Sequence, residues 1–297
     1  MPIPHRFSSE RTLIVHNPLA GRPRGRARAR TLAGRLASGG YRVVTTAAPR
    51  QTIDLAQAAR RESYTAAIVL GGDGTLLELI KKLPAELAIG QFPVGTVNLL
   101  ARSLHIPRKT APWLRMLDAG RTAPVYFGRC NGRPFASVAS VGYDAEVVAR
   151  VNPTLKRWIQ EGAYAVEAVR GLMHCSPRRF FVQADGKKWT GEAISILAGR
   201  GPYFGGSRRI FPGADPRQAR LSVLVLAGGR RRHVLRYAIG LLSGRLPQMR
   251  GVESFDASRV KIDSEPPVAA ELDGDAAGST PVVLELEPQP RVVLVPE

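Results

Sequence analysis

Residues 66–80 read AAIVLGGDGTLLELI, and the fold turns on how that stretch is divided. The continuous apolar run Ala66 to Leu70 has the character of a strand buried on both faces of a parallel sheet. From Leu76 onward the apolar residues recur at helical spacing, which predicts a helix. Between them stands Gly71-Gly72-Asp73-Gly74-Thr75. Where a parallel strand hands over to a helix, backbone N–H groups point outward and the helix N-terminus adds partial positive charge, so the junction suits phosphate. Gly71, Gly72 and Gly74 are expected to take positive φ and let the backbone approach a phosphate closely. Thr75 is expected to cap the helix or to offer its hydroxyl. Asp73 is the discordant member. A carboxylate beside phosphates is repelled unless a metal bridges them or it handles a proton, which points to phosphoryl transfer with Mg²⁺. Asp-Gly is also ordinary turn chemistry, but the complete GGDGT between strand and helix favours a nucleotide site.

Outward from that junction, strand and helix alternate. TLIVHN (12–17) reads as a buried strand ended by Pro18 and Gly21, and a helix is expected over 25–37, closed by Gly39 and Gly40. YRVVTT alternates as a second strand, QTIDLAQAARR (51–61) is helical, AIGQFPVG is a further short strand, and TVNLLARSL starts another helix. This order predicts an α/β domain with a parallel sheet over residues 1–122. Beyond Thr122 the pattern changes to short runs separated by turn residues: PVYFGRC, RPFASVAS, RRFFVQADG, KWTGEAISILA, ARLSVLVLAG, SRVKIDS, PVAAELDG and TPVVLELE. These predict a C-terminal antiparallel β-rich sandwich or barrel over 123–287, with helical insertions near 155–173 and 231–242. The closing RVVLVPE, about 288–297, is one more strand, free to return to the first domain.

The length of 297 residues suits two domains at roughly 150 residues each. No window reaches the ~18 apolar residues of a membrane span, and MPIPHRFSSERTLIV lacks the apolar core of a signal peptide, so a cytoplasmic protein is expected. Cys130 and Cys175 carry neither a disulfide framework nor a zinc spacing and are read as packing residues. The formal charge of +19 attracts polyanions: nucleic acid, anionic lipid or phosphate-bearing ligands. Arg22, Arg24, Arg26, Arg28, Arg30 and Arg35 stand in a segment without acids, and Arg230, Arg231, Arg232 and Arg236 cluster with His233. Such runs are either solvated helix faces or functional patches.

Neither a Walker A sequence nor the H-R-D set of protein kinases is present. HNPLAGRPRG at His16, LGGDGTLLELI at Leu70, PVGTVNLLARSLHIP at Pro93, VGYDAEVVARV at Val141, YFGGSRRIFPGADP at Tyr203 and ELDGD at Glu271 resemble, in order and spacing, diacylglycerol kinase catalytic domains. These are the bacterial lipid kinases related to sphingosine and ceramide kinases and, more distantly, to NAD kinases. The resemblance covers nearly the whole chain. It implies an N-terminal nucleotide-binding α/β domain and a C-terminal β-rich domain, with ATP and a lipid head group meeting between them.

By motif, Asn17 and Gly21 would help hold the nucleotide, Gly71, Gly72, Gly74 and Thr75 would wrap its phosphates, and Gly95, Thr96 and Asn98 would line the same site, unless Asn98 merely caps its helix. Asp144 and Glu146 fall where relatives set acids near the acceptor hydroxyl or the metal network. Asp273 and Asp275 would close the other side. Relatives mostly read D-G-E there, with the glutamate as base; Asp275 is one methylene shorter, so either Asp73 or Asp275 is the expected base. Relatives continue A-D-P-x-D-G where this chain has Gln218 and Ala219, leaving Asp215 as the remaining candidate for a structural Mg²⁺. Glu78 is expected to pair with Lys82 at i, i+4.

The resemblance implies ATP and Mg²⁺ as cofactors, a membrane lipid as acceptor (diacylglycerol, a sphingoid base or ceramide), and a homodimer as one arrangement. An enzyme of this kind is expected in the cytoplasm, peripherally on the inner face of the membrane, with the Arg clusters meeting an anionic surface. An NAD-kinase-type phosphotransferase shares GGDGT but not FGGSRRIFPGADP. A non-catalytic anion binder accounts for the charge but leaves the acids unused. Nucleic acid is not an expected partner, since only 6% of residues are aromatic.

Overall fold

In a computed structural model, residues 7–46, 64–150 and 178–297 are described, and of residue 150 only the backbone. The helices expected over 51–61 and 155–173, and Cys175, lie outside the described residues. The chain divides into two units, Met1–Tyr126 with Pro288–Glu297, and Phe127–Glu287.

The first unit is built on strands β1 (Thr12–His16), β2 (Arg42–Thr45), β3 (Ala66–Gly71), β4 (Ala88–Pro93), β5 (Thr122–Val125) and β19 (Arg291–Leu294), in the order β2-β1-β3-β4-β19-β5. All neighbours run parallel except β19 and β5. Every residue of β1, β3 and β4 is buried, as a parallel sheet covered on both faces requires. Helices α1 (Pro23–Ser38), α2 (Asp73–Ile80), the short α3 (Leu99–Ser103) and α4 (Thr110–Ala119) fill the connections. In α1 the apolar stripe Ala29, Leu32, Ala33 and Leu36 is buried while the arginines face outward. Trp113 of α4 is fully buried, donates its indole N–H to the Gln91 carbonyl at 2.8 Å and meets Phe92 edge-on at 5.5 Å. That anchor holds α4 against β4, just before the loop that carries Gly95 and Asn98.

The second unit carries β6 (Gly128–Cys130), β7 (Arg133–Phe135), β8 (Val138–Gly142), β9 (Arg178–Ala184), β10 (Lys187–Gly199), β13 (Leu221–Ala227), β14 (Val252–Ala257), β15 (Arg259–Glu265), β16 (Ala269–Leu272), β17 (Asp275–Ser279) and β18 (Val282–Leu286), with a two-stranded ribbon of β11 (Tyr203–Phe204) and β12 (Arg208–Arg209). The large sheet is antiparallel throughout. Period-two alternation builds its core: Phe180, Val182 and Ala184 of β9 face in while Phe181 faces out. Helix α5 (Tyr143–Arg150) follows β8 and helix α6 (Arg231–Leu242) follows β13. Cys130 packs in this core, where burial pushes its thiol up to about 11.

Two sequence expectations change here. PVYFGRC is not one strand: β5 pairs with β19 in the first unit and β6 with β18 in the second, so the units part at Tyr126 rather than at 122. Strands β14 and β17, with few β-branched residues, are additions that the sequence pattern does not announce. Among the described residues no helix is long and apolar enough to cross a membrane.

Candidate active site

Strand β3 ends on Gly71 and the chain enters α2 at once, at Asp73 rather than at the expected Leu76. Gly72 is the residue before the helix, with φ −95° and ψ −177°, and no side chain caps it, so Thr75 does not play that part. The glycines also differ from expectation: none of Gly71, Gly72 and Gly74 has a positive φ. Their requirement is room. A Cβ on Gly71 would lie 2.9 Å from the Thr75 Cβ, and one on Gly72 would lie 3.2 Å from the Gly95 Cα. Gly74 faces open space, with nothing within 4 Å of an added Cβ.

Three loops converge on this junction. Asn17 takes the Leu19 N–H on its side-chain oxygen and donates its amide to Thr75 Oγ1, both at 2.9 Å. Gly21, at φ +81°, lies so close to Val94 that a Cβ would come within 1.8 Å of the Val94 carbonyl oxygen. Gly95 is equally confined, since its Cβ would meet Asn98 Oδ1 at 2.6 Å and the Gly72 Cα at 2.8 Å. Asn98 holds a left-handed conformation, φ 53°, and donates its amide to the Gly95 carbonyl at 2.5 Å instead of capping α3. Asp73 supplies that cap from another element: its Oδ2 accepts the Leu99 N–H at 2.8 Å. The N-termini of α2 and α3 are thereby tied together by one carboxylate. Thr96 is half-buried in the same loop.

Two cations border the cradle that sequence reasoning did not place there. Arg26 donates to the Gly21 carbonyl at 2.9 Å and Arg108 to the Gly95 carbonyl at 3.3 Å. Arg28 in turn holds the Arg108 carbonyl at 3.0 Å, so two residues of the first Arg run bind loop backbone. Glu78 meets Lys81 at 2.8 Å and, as expected, Lys82 at 3.7 Å; these bonds hold its carboxyl below the usual range.

In the second unit, β16 and β17 form a hairpin in which Leu272 pairs with Asp275 and the turn is Asp273-Gly274, at φ 50° and 88°. Two successive left-handed residues make a two-residue hairpin of the primed type. The Asp273 carboxylate accepts the N–H groups of Ala136, Ser137 and Val138 at 2.6, 2.9 and 2.9 Å. Asp273, expected at the nucleotide, has its carboxylate on the backbone of residues 136–138 and so clamps its turn to the entry of β8. Burial raises its pKa, opposed by those three donors. Asp275 stands exposed at the start of β17.

Beneath the turn lies Glu271, which sequence reasoning missed; it is buried between the core residues Ala270 and Leu272 of AAEL, on the other face of the strand, where no sequence pattern marks it. It is buried, accepts the Ser140 hydroxyl at 2.9 Å and the Gly274 N–H at 2.6 Å, and is pushed up to about 8 by burial and then by Asp144. Burial likewise raises Asp144, against the hydroxyls of Ser140 and Ser195. Asp144 thus faces an acidic neighbour inside the second unit. Glu146 is ion-paired to Arg178 at 3.3 Å instead.

Asp215, the expected candidate for a structural Mg²⁺, is ion-paired. Both its oxygens bind the Arg217 guanidinium, at 2.8–3.1 Å, which lowers its pKa. The same loop closes on an internal cation: fully buried Arg200 donates to the carbonyls of Pro216 and Gln218, at 2.9 and 2.7 Å, and to that of Arg220. Among the described residues no three His, Cys, Asp or Glu side chains converge as metal ligands.

ATP fits the first-unit residues on their own terms, because side-chain-free glycines, two helix N-termini and nearby arginines suit a polyphosphate. Comparison with known proteins points the same way. Residues 11–130 match the diacylglycerol kinase catalytic domain, and residues 137–295 match the YegS C-terminal NAD kinase beta sandwich-like domain. A diacylglycerol kinase of Bacillus subtilis is 27% identical over 281 residues, 92% of each chain. A YegS-like lipid kinase of Pseudomonas fluorescens is 27% identical over 226 residues, 71% of this chain and 74% of its own. The fold is that of a Bacillus anthracis structure described as a candidate diacylglycerol kinase, with a TM-score of 0.82 at 20% identity over 97% of this chain and 96% of that one. The chain belongs to the diacylglycerol kinase catalytic-domain family, and is thus a kinase, a phosphotransferase with an alcohol as acceptor.

Proposed function

We propose that the protein is an ATP-dependent kinase of membrane lipids, phosphorylating the primary hydroxyl of diacylglycerol, a sphingoid base or ceramide. The observation that carries the nucleotide half is the meeting of Asn17, Gly21, Gly72, Asp73, Gly95 and Asn98 at two helix N-termini. Bound there, ATP with Mg²⁺ supplies the phosphoryl group and the charge that offsets it. Gly72 and Gly95 keep the floor of the site at backbone level, and Thr75, whose hydroxyl accepts the Asn17 amide, and Thr96 of the same loop as Gly95 are its hydroxyl residues. Asp73 holds the α2 and α3 N-termini in register through Leu99, so it acts as a positioning residue for the phosphates. Asp275, exposed beside a rigid turn, is the base that takes the proton of the lipid hydroxyl on a carboxylate oxygen. Asp273 and Glu271 fix that turn from below.

The test is transfer of label from γ-labelled ATP with Mg²⁺ to a panel of detergent-dispersed diacylglycerol, sphingoid base and ceramide, with NAD as a further arm. A labelled lipid is expected, and Asp275→Asn should lower turnover by about 10²-fold or more while leaving ATP affinity intact. Label in NAD alone, or no affinity for ATP with Mg²⁺, overturns the reading.

A further inference from the structure

Helix α6 departs from the ordinary rule for a helix with one buried side. Its inward side is buried through Val234 and Tyr237, as expected. Its outward side is also apolar: Leu235, Ile239 and Leu242 are 56%, 57% and 69% exposed, and with exposed Ala238 they follow the spacing i, i+3, i+4, i+7. Among the described residues only Leu19 and Phe181 are other large apolar side chains exposed to this extent or near it. An exposed apolar stripe is informative where a single exposed leucine is not.

The segment that carries it is cationic, with Glu192 of β10 the acid that acts on His233 in its first turn. No acid occurs between residues 216 and 252, whereas Arg230, Arg231, Arg232, Arg245 and Arg250 are all exposed. Arg231 precedes Leu235 by one turn and Arg232 lies on the line of Ile239 two turns on, so the guanidinium groups border the stripe. Arg236 is engaged with Tyr237 and the Arg250 carbonyl, tying the following loop to the helix. The helix N-terminus is fixed by His233, whose Nδ1 accepts the Arg230 N–H at 3.3 Å and packs over Gly228.

We infer that α6 is a membrane-docking helix, whose Leu235, Ile239 and Leu242 enter the head-group boundary of an anionic bilayer while the arginines around them pair with lipid phosphates. The inference rests on the reading of the acceptor as a bilayer lipid and assigns the element that brings the enzyme to it. An apolar stripe with an arginine border in the interfacial plane is the arrangement that surface-lying helices use, and their binding adds apolar burial to charge attraction. Charge complementarity selects this occupant over a second copy of the chain, because a two-fold contact through the stripe would bring two arginine sets together.

Co-sedimentation with vesicles of phosphatidylcholine, with and without phosphatidylglycerol, tests it. Wild-type protein should bind only the anionic vesicles. Changing Leu235, Ile239 and Leu242 together to Ser should lower binding at least about tenfold at constant salt, since three apolar side chains no longer leave water. Arg231→Gln with Arg232→Gln should instead flatten the salt dependence. Ile239→Trp should show blue-shifted fluorescence that lipid-borne bromine quenches. The triple Ser protein should keep the wild-type thermal midpoint and its rate on detergent-dispersed lipid. Vesicle binding unchanged in that variant overturns the inference, as does a shift in sedimentation coefficient that the same changes abolish without altering vesicle binding. Vesicle binding through α6 with no lipid phosphorylated would instead leave docking standing and remove the kinase reading.

Discussion

Asp73-Gly74 and Asp273-Gly274 are the same dipeptide in the two units, and they share almost nothing else. The first opens a helix with negative φ throughout, and its carboxylate reaches across to cap a different helix at Leu99. The second is a left-handed hairpin turn whose carboxylate is taken up by three successive N–H groups at the entry to β8, those of residues 136–138. Glycine serves room in one case and handedness in the other. The difference teaches that Asp-Gly has no intrinsic role: the next element of the chain, helix or returning strand, decides whether the carboxylate caps a second helix or holds the turn itself.

Four substitutions separate the two turns. Asp273→Ala should have the largest effect, about 4 kcal/mol off the stability of the second unit, because it leaves buried N–H donors of residues 136–138 unpaired; denaturant unfolding would measure it, and a loss below about 1 kcal/mol would dissolve the contrast. Gly95→Ala should cost about 2 kcal/mol and weaken ATP binding together, since its Cβ has the Gly72 Cα at 2.8 Å. Calorimetry reads both, and normal affinity would mean that the close approach is not part of the cradle.

Glu271→Gln is expected to act through pH. Because the folded carboxyl binds its proton up to about 8, above its ordinary 4.5, the native protein holds more protons than the unfolded chain between those values. Stability should therefore fall as pH rises from about 4.5 to about 8, and the Gln variant should lose that slope in its melting temperature. A slope retained in the variant would move the titration elsewhere. Gly74→Ala should be the mildest. With negative φ and open space, it should stabilise the first unit by about 0.5 kcal/mol. If ATP affinity nonetheless falls, the missing side chain serves the ligand.

Much of this was legible. Buried strands such as 66–71 announce themselves by unbroken apolar runs, and α1 lies within two residues of its expected bounds. The GGDGT, GTVN and NPLAG segments are brought together in the first unit. What escaped is what depends on three-dimensional neighbours. DAAGS has no strand propensity and is a strand because a turn delivers it to β16. Arg26 looked like one of a run, yet its guanidinium lies on Gly21. Asp215 has the residue type of a metal ligand, and only the folded chain shows Arg217 on its carboxylate with Arg200 close by. Glu271 was visible only as a letter until burial and a neighbouring acid gave it a shifted proton.

Strand β19 sits between β4 and β5, and Arg291 at its start donates to the carbonyls of Ile80, the last residue of α2, and of Leu83 and Pro84 just beyond it. The chain thus leaves its first sheet after Val125 and comes back some hundred and sixty residues later to finish it. During synthesis the first-made half must wait with an open slot until residues 291–294 leave the ribosome. A nascent chain stalled anywhere in the second unit would carry a complete GGDGT sequence on a sheet that still lacks the strand between β4 and β5.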